Sequence, residues 1–175
     1  MAATPWGLDP AREADWDALY ADQLPRVYNF LRYRVGDDVL AEDLTSIAFE
    51  KAWVARHRYR RDRAGFSTWL FTIARNVAVD HWRRRRPHEP LEAASEVPDP
   101  TEPSRIVERR ESHARLVDAL ATLPDRDREL IALKYGAELT NTEIAHHTGL
   151  TANHVGTLLH RAVGRLREQL GPQED

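Results

Sequence analysis

The chain has 175 residues, of which 42% are hydrophobic and 30% charged, a composition that suits a soluble globular protein of one or two small domains. It contains no cysteine, which excludes disulfides, thiolate metal sites and a cysteine nucleophile. No apolar run approaches the ~20 residues of a membrane span, and the N-terminus does not resemble a signal peptide, so we expect a cytoplasmic protein without membrane insertion.

The net charge of −3 conceals a strong segregation of charge along the chain. Residues 1–55 hold ten acids against five bases, whereas ten arginines face only Asp62 and Asp80 between Arg56 and Arg86. Residues 87–104 are acidic again and contain no base. A protein that is acidic overall can therefore still carry a focused basic face.

The first part of the chain predicts two helices after an irregular start. Residues 1–14 form an N-terminal extension, and an apolar helical pattern follows it. We expect a break at Pro25, because proline starts a helix better than it continues one. The helix that begins there should end at Gly36.

A third helix is predicted over roughly 39–57, capped by Asp37 or Asp38. Phe49 and Trp53 lie four residues apart on it and so share a face. That face either binds a partner or packs on the first helix, and helix spacing alone leaves both open. The predicted buried stripe consists of Leu40, Leu44, Ile47 and Ala48.

The segment Gly65–Arg86 predicts one amphipathic helix, with Ser67 as its N-cap and Pro87 ending it. Its apolar stripe is Leu70, Ile73, Ala74 and Val77, and its polar face carries Thr72, Arg75, Asn76 and Arg83. The helix ends in four arginines, which alone would indicate a solvated helix end. Interleaved aromatics favour instead a surface for single-stranded or opened nucleic acid; these are Tyr59, Phe66, Trp69, Phe71 and Trp82.

Residues 87–104 predict a flexible linker, since they combine five prolines with five acids and few large apolar residues. Helices should follow over 104–123 and, capped by Asp125, up to Tyr135 before Gly136. The overall prediction is an all-α protein made of two small helical domains, residues 15–86 and 105–171, joined by this acidic proline-rich linker.

The second domain contains the pattern of a helix-turn-helix. Thr140 and Glu143 form a capping box at the start of a short helix, Asn141–Thr148, which Gly149 ends. Thr151 then caps a long helix over 152–170. This pattern favours DNA binding, and a helical hairpin without a DNA role is the alternative.

The sequence gives little reason to expect an enzyme or a cofactor. No nucleophile–base motif, phosphate loop or paired-carboxylate signature is present. His146 and His147 are adjacent, so on a helix they point about 100° apart and cannot easily share one metal ion with His154. We predict neither catalytic residues nor a metal site.

Taken together, these segments resemble bacterial RNA polymerase sigma factors of the extracytoplasmic-function (ECF) class. AEDLTSIAFEKAW (Ala41–Trp53) is similar to the segment of sigma region two that binds core polymerase. STWLFTIARNVAVDHWRRRR (Ser67–Arg86) is similar to the segment that opens and reads the minus-ten element. The stretch Ala119–Leu170 resembles sigma region four, which reads the minus-thirty-five element.

The resemblance implies a transcription initiation factor with core RNA polymerase, promoter duplex and opened promoter strand as partners, and an anti-sigma factor as a possible regulator. The implied polymerase-binding residues are Asp43, Leu44, Phe49 and Trp53. The implied minus-ten residues are Arg75, Asn76, Asp80, Arg83, Arg84, Arg85 and Arg86. Trp69 either packs in the core or contacts DNA.

In the second domain the resemblance implies minus-thirty-five contacts from Asn153, His154, Thr157, His160, Arg161 and Arg165. The chain departs from the family pattern at Gly156 and Leu158, where basic residues are common. Leu158 lies on the apolar stripe and is expected to pack, whereas Gly156 predicts close approach of the DNA backbone or of a neighbouring helix. The alternative function is a helix-turn-helix regulator that binds duplex DNA without polymerase.

Overall fold

The computed structural model describes residues 10–59, 65–85 and 104–171, and all the regular elements in those ranges are helical, which confirms the all-α prediction. The first half contains α1 (Pro10–Val35), α2 (Asp38–Ala55), a 3₁₀ turn (Arg56–Arg58) and α3 (Phe66–Arg85). The second half contains α4 (Ser104–Thr122), α5 (Asp125–Ile131), a π-helical turn (Ala132–Gly136), α6 (Asn141–Thr148) and α7 (Ala152–Leu170).

Apart from Ser104, the predicted linker lies outside the described residues, as do residues 1–9 of the predicted N-terminal extension. The rest of that extension belongs to α1, which begins at Pro10. None of the helices in the described ranges combines the length and the hydropathy that crossing a bilayer requires.

The predicted break at Pro25 was wrong, because α1 continues through it for a total of 26 residues. Pro25 is exposed, so its ring lies on the solvent side of α1 rather than against the core. Val27, Phe30 and Leu31 follow it and are fully buried. Tertiary packing of the C-terminal part of α1 therefore overrides the local effect of the proline.

The buried stripe of α2 is rotated from the predicted one. Ile47, expected inside, is 40% exposed, whereas Phe49 is 5% exposed. The buried residues follow a regular helical spacing along one side: Ala41, Leu44, Thr45, Ala48, Phe49 and Ala52. The N-cap is Asp37, whose Oδ1 accepts a hydrogen bond from the Leu40 amide at 2.7 Å.

The ends of α3 and α5 also differ from expectation. Ser67 is not the N-cap of α3, which begins one residue earlier, and its Oγ has no hydrogen-bond partner among the described residues. Asp125 is the first residue of α5 rather than its cap, which is Pro124. The regular α-helix ends at Ile131, and the chain reaches Gly136 through the π-helical turn.

The helix-turn-helix forms as predicted. The Thr140 Oγ accepts from the Glu143 amide at 3.3 Å, and the Glu143 carboxylate accepts from the Thr140 amide at 2.8 Å, which completes the capping box. Gly149 ends α6 with φ of 72°, the left-handed conformation that favours glycine. Thr151 caps α7 by accepting from the His154 amide.

The two halves pack against each other along α1. Gly136 marks the closest approach, since a Cβ there would lie 2.8 Å from the Phe30 nitrogen and 2.9 Å from the Asn29 carbonyl oxygen. Only glycine fits a backbone that comes this near another backbone. The buried apolar residues of both halves consequently join into one core.

Candidate functional site

The polar face of α3 carries two of the predicted minus-ten residues, Arg75 and Asn76. Its opposite side is fixed in the core by Leu70, Phe71, Ala74, Val77 and Ala78. Asn76 is exposed, as predicted. The Arg75 side chain is 36% exposed, and its guanidinium forms a short ion pair with Glu129 of α5. The sequence reasoning missed this pairing, because it joins residues from the two halves of the chain.

The end of α3 carries the basic cluster. Arg83 and Arg84 are exposed, and the Arg83 side chain retains 76% of its accessible surface. Asp80 lies between cations, with its carboxylate 3.8 Å from the Lys51 Nζ of α2 and 4.0 Å from the Arg83 Nη1. Asp80 therefore links α3 to α2 through a salt bridge, independently of any contact with DNA. Arg85 is the last residue of α3, and Arg86 lies outside the described residues.

Most of the interleaved aromatics pack against one another instead of forming an open stacking surface. Phe71 is fully buried against Phe30, with ring centroids 5.7 Å apart. Tyr59, Phe66 and Trp69 join two further tryptophans in a chain of near-perpendicular and tilted contacts with centroid distances of 5.2–5.6 Å, which we call the ring cluster: Trp53, Trp16, Phe66, Tyr59 and Trp69. Trp82 lies outside this cluster and contacts the His81 ring. This cluster fastens the start of α3 to the end of α2 and to α1, and it assigns Trp69 a packing role.

The predicted polymerase-binding residues fall into two groups. Leu44 and Phe49 are buried, and Phe49 packs on Tyr20 of α1 with centroids 4.5 Å apart. Asp43 is exposed, and Trp53 is 38% exposed at the edge of the ring cluster with the Arg56 guanidinium 3.6 Å above its ring. The two buried side chains can support a partner surface but cannot form it.

The solvent side of α2 presents a different set of residues, which we call the α2 stripe: Val39, Asp43, Ile47, Glu50 and Val54. Their spacing of four, four, three and four places them on one helix face. Three of these residues are aliphatic, and Val39 and Val54 are 67% and 64% exposed while Ile47 is 40% exposed. Three exposed aliphatic side chains on one helix face are unusual. The sequence contained this pattern, but the overlapping buried stripe obscured it.

The exposed face of α7 carries nearly all of the predicted minus-thirty-five residues: Asn153, His154, Thr157, His160 and Arg161. Arg165 differs, because its Nη1 donates to the Asp127 Oδ2 of α5 at 2.9 Å. Asp127 is only 3% exposed, so Arg165 neutralises a buried carboxylate. Leu158 is 4% exposed, which confirms that it packs.

Gly156 lies beside α6 rather than in open space. A Cβ at this position would be 3.4 Å from the Asn141 Nδ2, an ordinary van der Waals distance. The predicted approach of a neighbouring helix is thus present, but it is loose enough to admit a methyl group. Packing among the described residues does not explain why this residue is glycine.

His147 lies half-buried where α6 meets α3. Burial lowers its pKa most, and the nearby His146 and Arg75 lower it further against the opposing effect of Glu143 and Glu129. Its Nε2 has no hydrogen-bond partner within the described ranges. Those ranges also contain no group of three histidine, aspartate or glutamate side chains placed to hold a metal ion.

The surfaces described above coincide with two known protein regions. The family model "Sigma-70 region 2" matches residues 19–88, which include the α2 stripe and the polar face of α3. The model "Sigma-70, region 4" matches residues 119–168, which include the helix-turn-helix.

Similar proteins span nearly the whole chain. The ECF RNA polymerase sigma factor RpoE of Cereibacter sphaeroides is 30% identical over 162 residues, which cover 93% of this chain and 90% of that protein. The RNA polymerase sigma factor CarQ of Myxococcus xanthus is 34% identical over 173 residues, covering 95% and 94%.

A solved structure shares the fold. The sigma factor RpoE in a co-crystal structure with the anti-sigma factor NepR from Bartonella quintana matches with a TM-score of 0.72 at 22% identity, covering 91% of this chain and 99% of that one. With both sigma regions in order and relatives at this identity over almost their full length, the chain belongs to the ECF family of RNA polymerase sigma factors.

Proposed function

We propose that this ECF sigma factor binds core RNA polymerase and directs it to specific promoters in the cytoplasm. The first half recognises and opens the minus-ten element, and the second half contacts the minus-thirty-five element. One observation supports this most directly: a single chain carries exposed polar faces on α3 and on α7, each within the sigma region that matches it.

The α2 stripe is the surface that we assign to core polymerase. It alternates aliphatic side chains with the carboxylates of Asp43 and Glu50, so it offers apolar contact together with negative charge. A partner that buries it would need apolar residues flanked by basic ones. Leu44 and Phe49 act from beneath by fixing the helix that presents the stripe.

The polar face of α3 is the surface that we assign to the minus-ten element. Asn76 can donate to and accept from a base edge, and the basic end of the helix attracts phosphates. Arg83 and Arg84 should therefore contribute salt-dependent affinity, whereas Asn76 should contribute discrimination between bases. Arg75 lies at the edge of this face, where its Nε donates to the Glu129 carboxylate.

The exposed face of α7 is assigned to the minus-thirty-five element. Asn153 and His154 lie in its first turn, where a helix entering the major groove presents side chains to base edges. Arg161 lies two turns further along and is suited to a phosphate. Arg165 contributes to positioning, since it is held by Asp127.

Runoff transcription with core polymerase on genomic fragments tests the proposal and finds the promoter in the same experiment. Discrete transcripts should appear with the factor and not with core polymerase alone. The Asn76→Ala variant should still bind polymerase but should reduce permanganate reactivity of the opened strand. Unchanged opening in this variant would remove Asn76 from the minus-ten face.

The alternative, a helix-turn-helix regulator that works without polymerase, makes a different prediction in a pull-down. Such a protein would bind duplex DNA, would fail to retain core polymerase and would yield no transcripts. Retention of core polymerase by the full chain, lost on changing the α2 stripe, would exclude the regulator.

We also propose control by an anti-sigma factor. The support comes from a relative, since RpoE from Bartonella quintana was solved in complex with the anti-sigma factor NepR. If such a protein acts here, co-expression with it should abolish transcription from the promoter found above, and adding excess factor should restore transcription. Transcription that no co-purifying protein can suppress would count against this control.

A further inference from the structure

The polar face of α7 has a gap at Gly156. Asn153 precedes this glycine by three residues and His160 follows it by four, so the three positions lie on one side of the helix. The two outer residues expose polar side chains, whereas the middle position has none. Glycine inside a helix costs stability relative to alanine, and a Cβ would fit at this position. The reason for the gap therefore lies outside the packing of the described residues.

A side chain of α6 borders this gap. In the part of the chain that the structure describes, the atom of another helix that a Cβ at Gly156 would meet within 4 Å is the Asn141 Nδ2, at 3.4 Å. Asn141 is the first residue of α6 and is partly buried. Its carboxamide therefore lies against α7 between Asn153 and His160, where a longer side chain at position 156 would cover it.

The acceptor atom of this carboxamide is not held by the fold. The Asn141 Oδ1 is buried and has no hydrogen-bond partner within the described ranges. Buried polar atoms are normally paired, so an unpaired one beside a binding face is a distinctive feature. The terminal torsion of an asparagine side chain has a broad energy profile. Turning the carboxamide toward a ligand therefore breaks no hydrogen bond of Oδ1 to the described residues.

The nearby carboxylate of Glu143 does not oppose an anion beside Asn141. It accepts hydrogen bonds from the Thr140 amide at 2.8 Å and from the Thr140 Oγ at 2.7 Å, and the backbone hydrogen bond is the main cause of its lowered pKa. Positions two residues apart on an α-helix are about 200° apart around its axis, so Glu143 and Asn141 point in different directions. The start of α6 also carries the partial positive charge of a helix N-terminus.

We propose that Asn141 is a further DNA-contacting residue, whose Nδ2 donates to a phosphate oxygen of the minus-thirty-five duplex, and that Gly156 leaves α7 bare so that the two can meet. In a helix-turn-helix the first helix crosses the DNA backbone while the second lies in the major groove, which places the start of α6 near phosphates. The carboxamide is uncharged, so it positions the duplex without releasing a counterion. This proposal rests on the assignment of α7 to the minus-thirty-five element.

Replacing Asn141 with aspartate changes the donor to an acceptor at nearly constant size. An acid in the first turn favours a helix, so urea unfolding should show unchanged or increased stability. Binding of the chain, assembled with core polymerase, to the promoter duplex should weaken about tenfold, because a hydrogen bond to a charged group is lost and like charges meet. Gln169→Glu makes the same chemical change at an exposed position near the end of α7 and should bind as the parent does.

The uncharged variant Asn141→Ala separates this contact from that of an arginine. It should weaken binding, but it should leave the slope of log affinity against log salt unchanged, since no cation is removed. Unchanged affinity in both Asn141→Asp and Asn141→Ala would overturn the proposal. So would a loss of stability in Asn141→Asp that matches its loss of binding, because the side chain would then act on the fold.

Single methylphosphonate substitutions in the duplex identify the phosphate. Several neutralised positions in the minus-thirty-five element should weaken binding of the parent. At one of them the loss should disappear in Asn141→Ala, while the other losses remain. The same losses at every position in both proteins would overturn the contact of Asn141 and leave the assignment of α7 intact. No loss at any position in the parent would overturn both.

Gly156→Leu tests the gap, because its side chain would cover the carboxamide. This variant should weaken binding as Asn141→Ala does, and the double variant should bind no more weakly than the weaker single one. Gly164→Leu is the matched control on the same helix, since nothing in the described ranges lies within 4 Å of a Cβ there, and it should leave binding unchanged. Fully additive losses in the double variant would overturn the role given to Gly156.

Discussion

Arg75 and Arg165 were both predicted to contact DNA, and each is paired with a buried carboxylate of α5. Removing these guanidinium groups would leave Glu129 without its arginine partner and would leave Asp127 with the longer contact to Arg126, which is costly for carboxylates in a low-dielectric environment. Asn76 and Arg161, by contrast, are exposed. At the scale of single residues, an arginine paired with a buried carboxylate also stabilises the fold, whereas an exposed side chain without such a partner is available to DNA.

Replacing Gly156 with alanine should stabilise the chain by about 0.5–1 kcal/mol, because alanine costs less backbone entropy in a helix and a Cβ fits beside Asn141. Urea unfolding measures the change, with Gly164→Ala on the same helix as the control. If DNA approaches the backbone at this point, Gly156→Ala alone should weaken duplex binding. A loss of stability in Gly156→Ala would mean that a Cβ at this position does not fit at 3.4 Å from the Asn141 Nδ2.

His147 should make stability fall in mild acid. Its folded-state pKa lies below the ordinary 6.5, chiefly through burial, so the unfolded chain takes up a proton more readily. The stabilising contribution is therefore complete above pH 6.5 and is lost as the pH falls through the folded-state pKa. The free energy of unfolding, measured by urea titration across this range, should depend less steeply on pH in His147→Gln.

A residual dependence is expected in that variant, since burial and Arg32 also lower the pKa of His113 against the effect of Asp38. The double variant His113→Gln with His147→Gln should flatten the profile further. An identical slope in the parent chain and in His147→Gln would show that this imidazole titrates normally.

At the scale of elements, α2 has buried residues that stabilise the fold and exposed residues that are available to a partner. Ile47→Ala combined with Val54→Ala should weaken core polymerase binding about tenfold while changing the free energy of unfolding by less than about 0.5 kcal/mol, because both side chains face solvent. Phe49→Ala should instead destabilise the chain by about 3–5 kcal/mol through the cavity it leaves beside Tyr20. Pull-down and urea unfolding on the same preparations distinguish the two.

Unchanged polymerase binding in the Ile47→Ala, Val54→Ala variant would assign the partner surface elsewhere on the first half. A Phe49→Ala chain that unfolds normally but loses polymerase would show that the ring becomes exposed on binding.

Along α7, Arg161 and Arg165 should respond oppositely to truncation. Arg161→Ala should weaken DNA binding across sequences and reduce the slope of log affinity against log salt by about one, with little effect on folding. Arg165→Ala should cost about 1–3 kcal/mol of stability, because Asp127 then keeps, among the described residues, the Arg126 contact at 3.3 Å alone. Equal effects of the two substitutions on stability would contradict the buried ion pair.

Local features of the elements could be predicted from the sequence. The capping box of α6, the left-handed Gly149 and the Thr151 cap each depend on residues within four positions of one another. The rotation of α2 could not be predicted in this way, because two apolar stripes overlap on that helix and only the neighbours of α2 select which one is buried. For the same reason a helix break was predicted at Pro25, since the residues that pack on α1 and stabilise it are distant in sequence.

At the scale of the whole molecule, the sequence predicted two halves but not their docking. The contacts that join them link residues 91 and 111 positions apart, such as Arg34 with Asp125 and Arg26 with Ala137. No periodicity or capping rule acts over that separation. The sequence accordingly predicted which candidate residues face solvent on α7, but it did not predict that a residue of the other half pairs with Arg75.

The ring cluster has a spectroscopic consequence. All five tryptophans of the chain precede residue 87, and three of them belong to the cluster. Indole emission therefore reports on the first half, whereas far-ultraviolet circular dichroism reports on the helices of both. If the chain melts as one cooperative body, the two signals lose intensity at the same temperature. In a chain whose second half melts first, ellipticity falls while the indole spectrum is still that of the native protein.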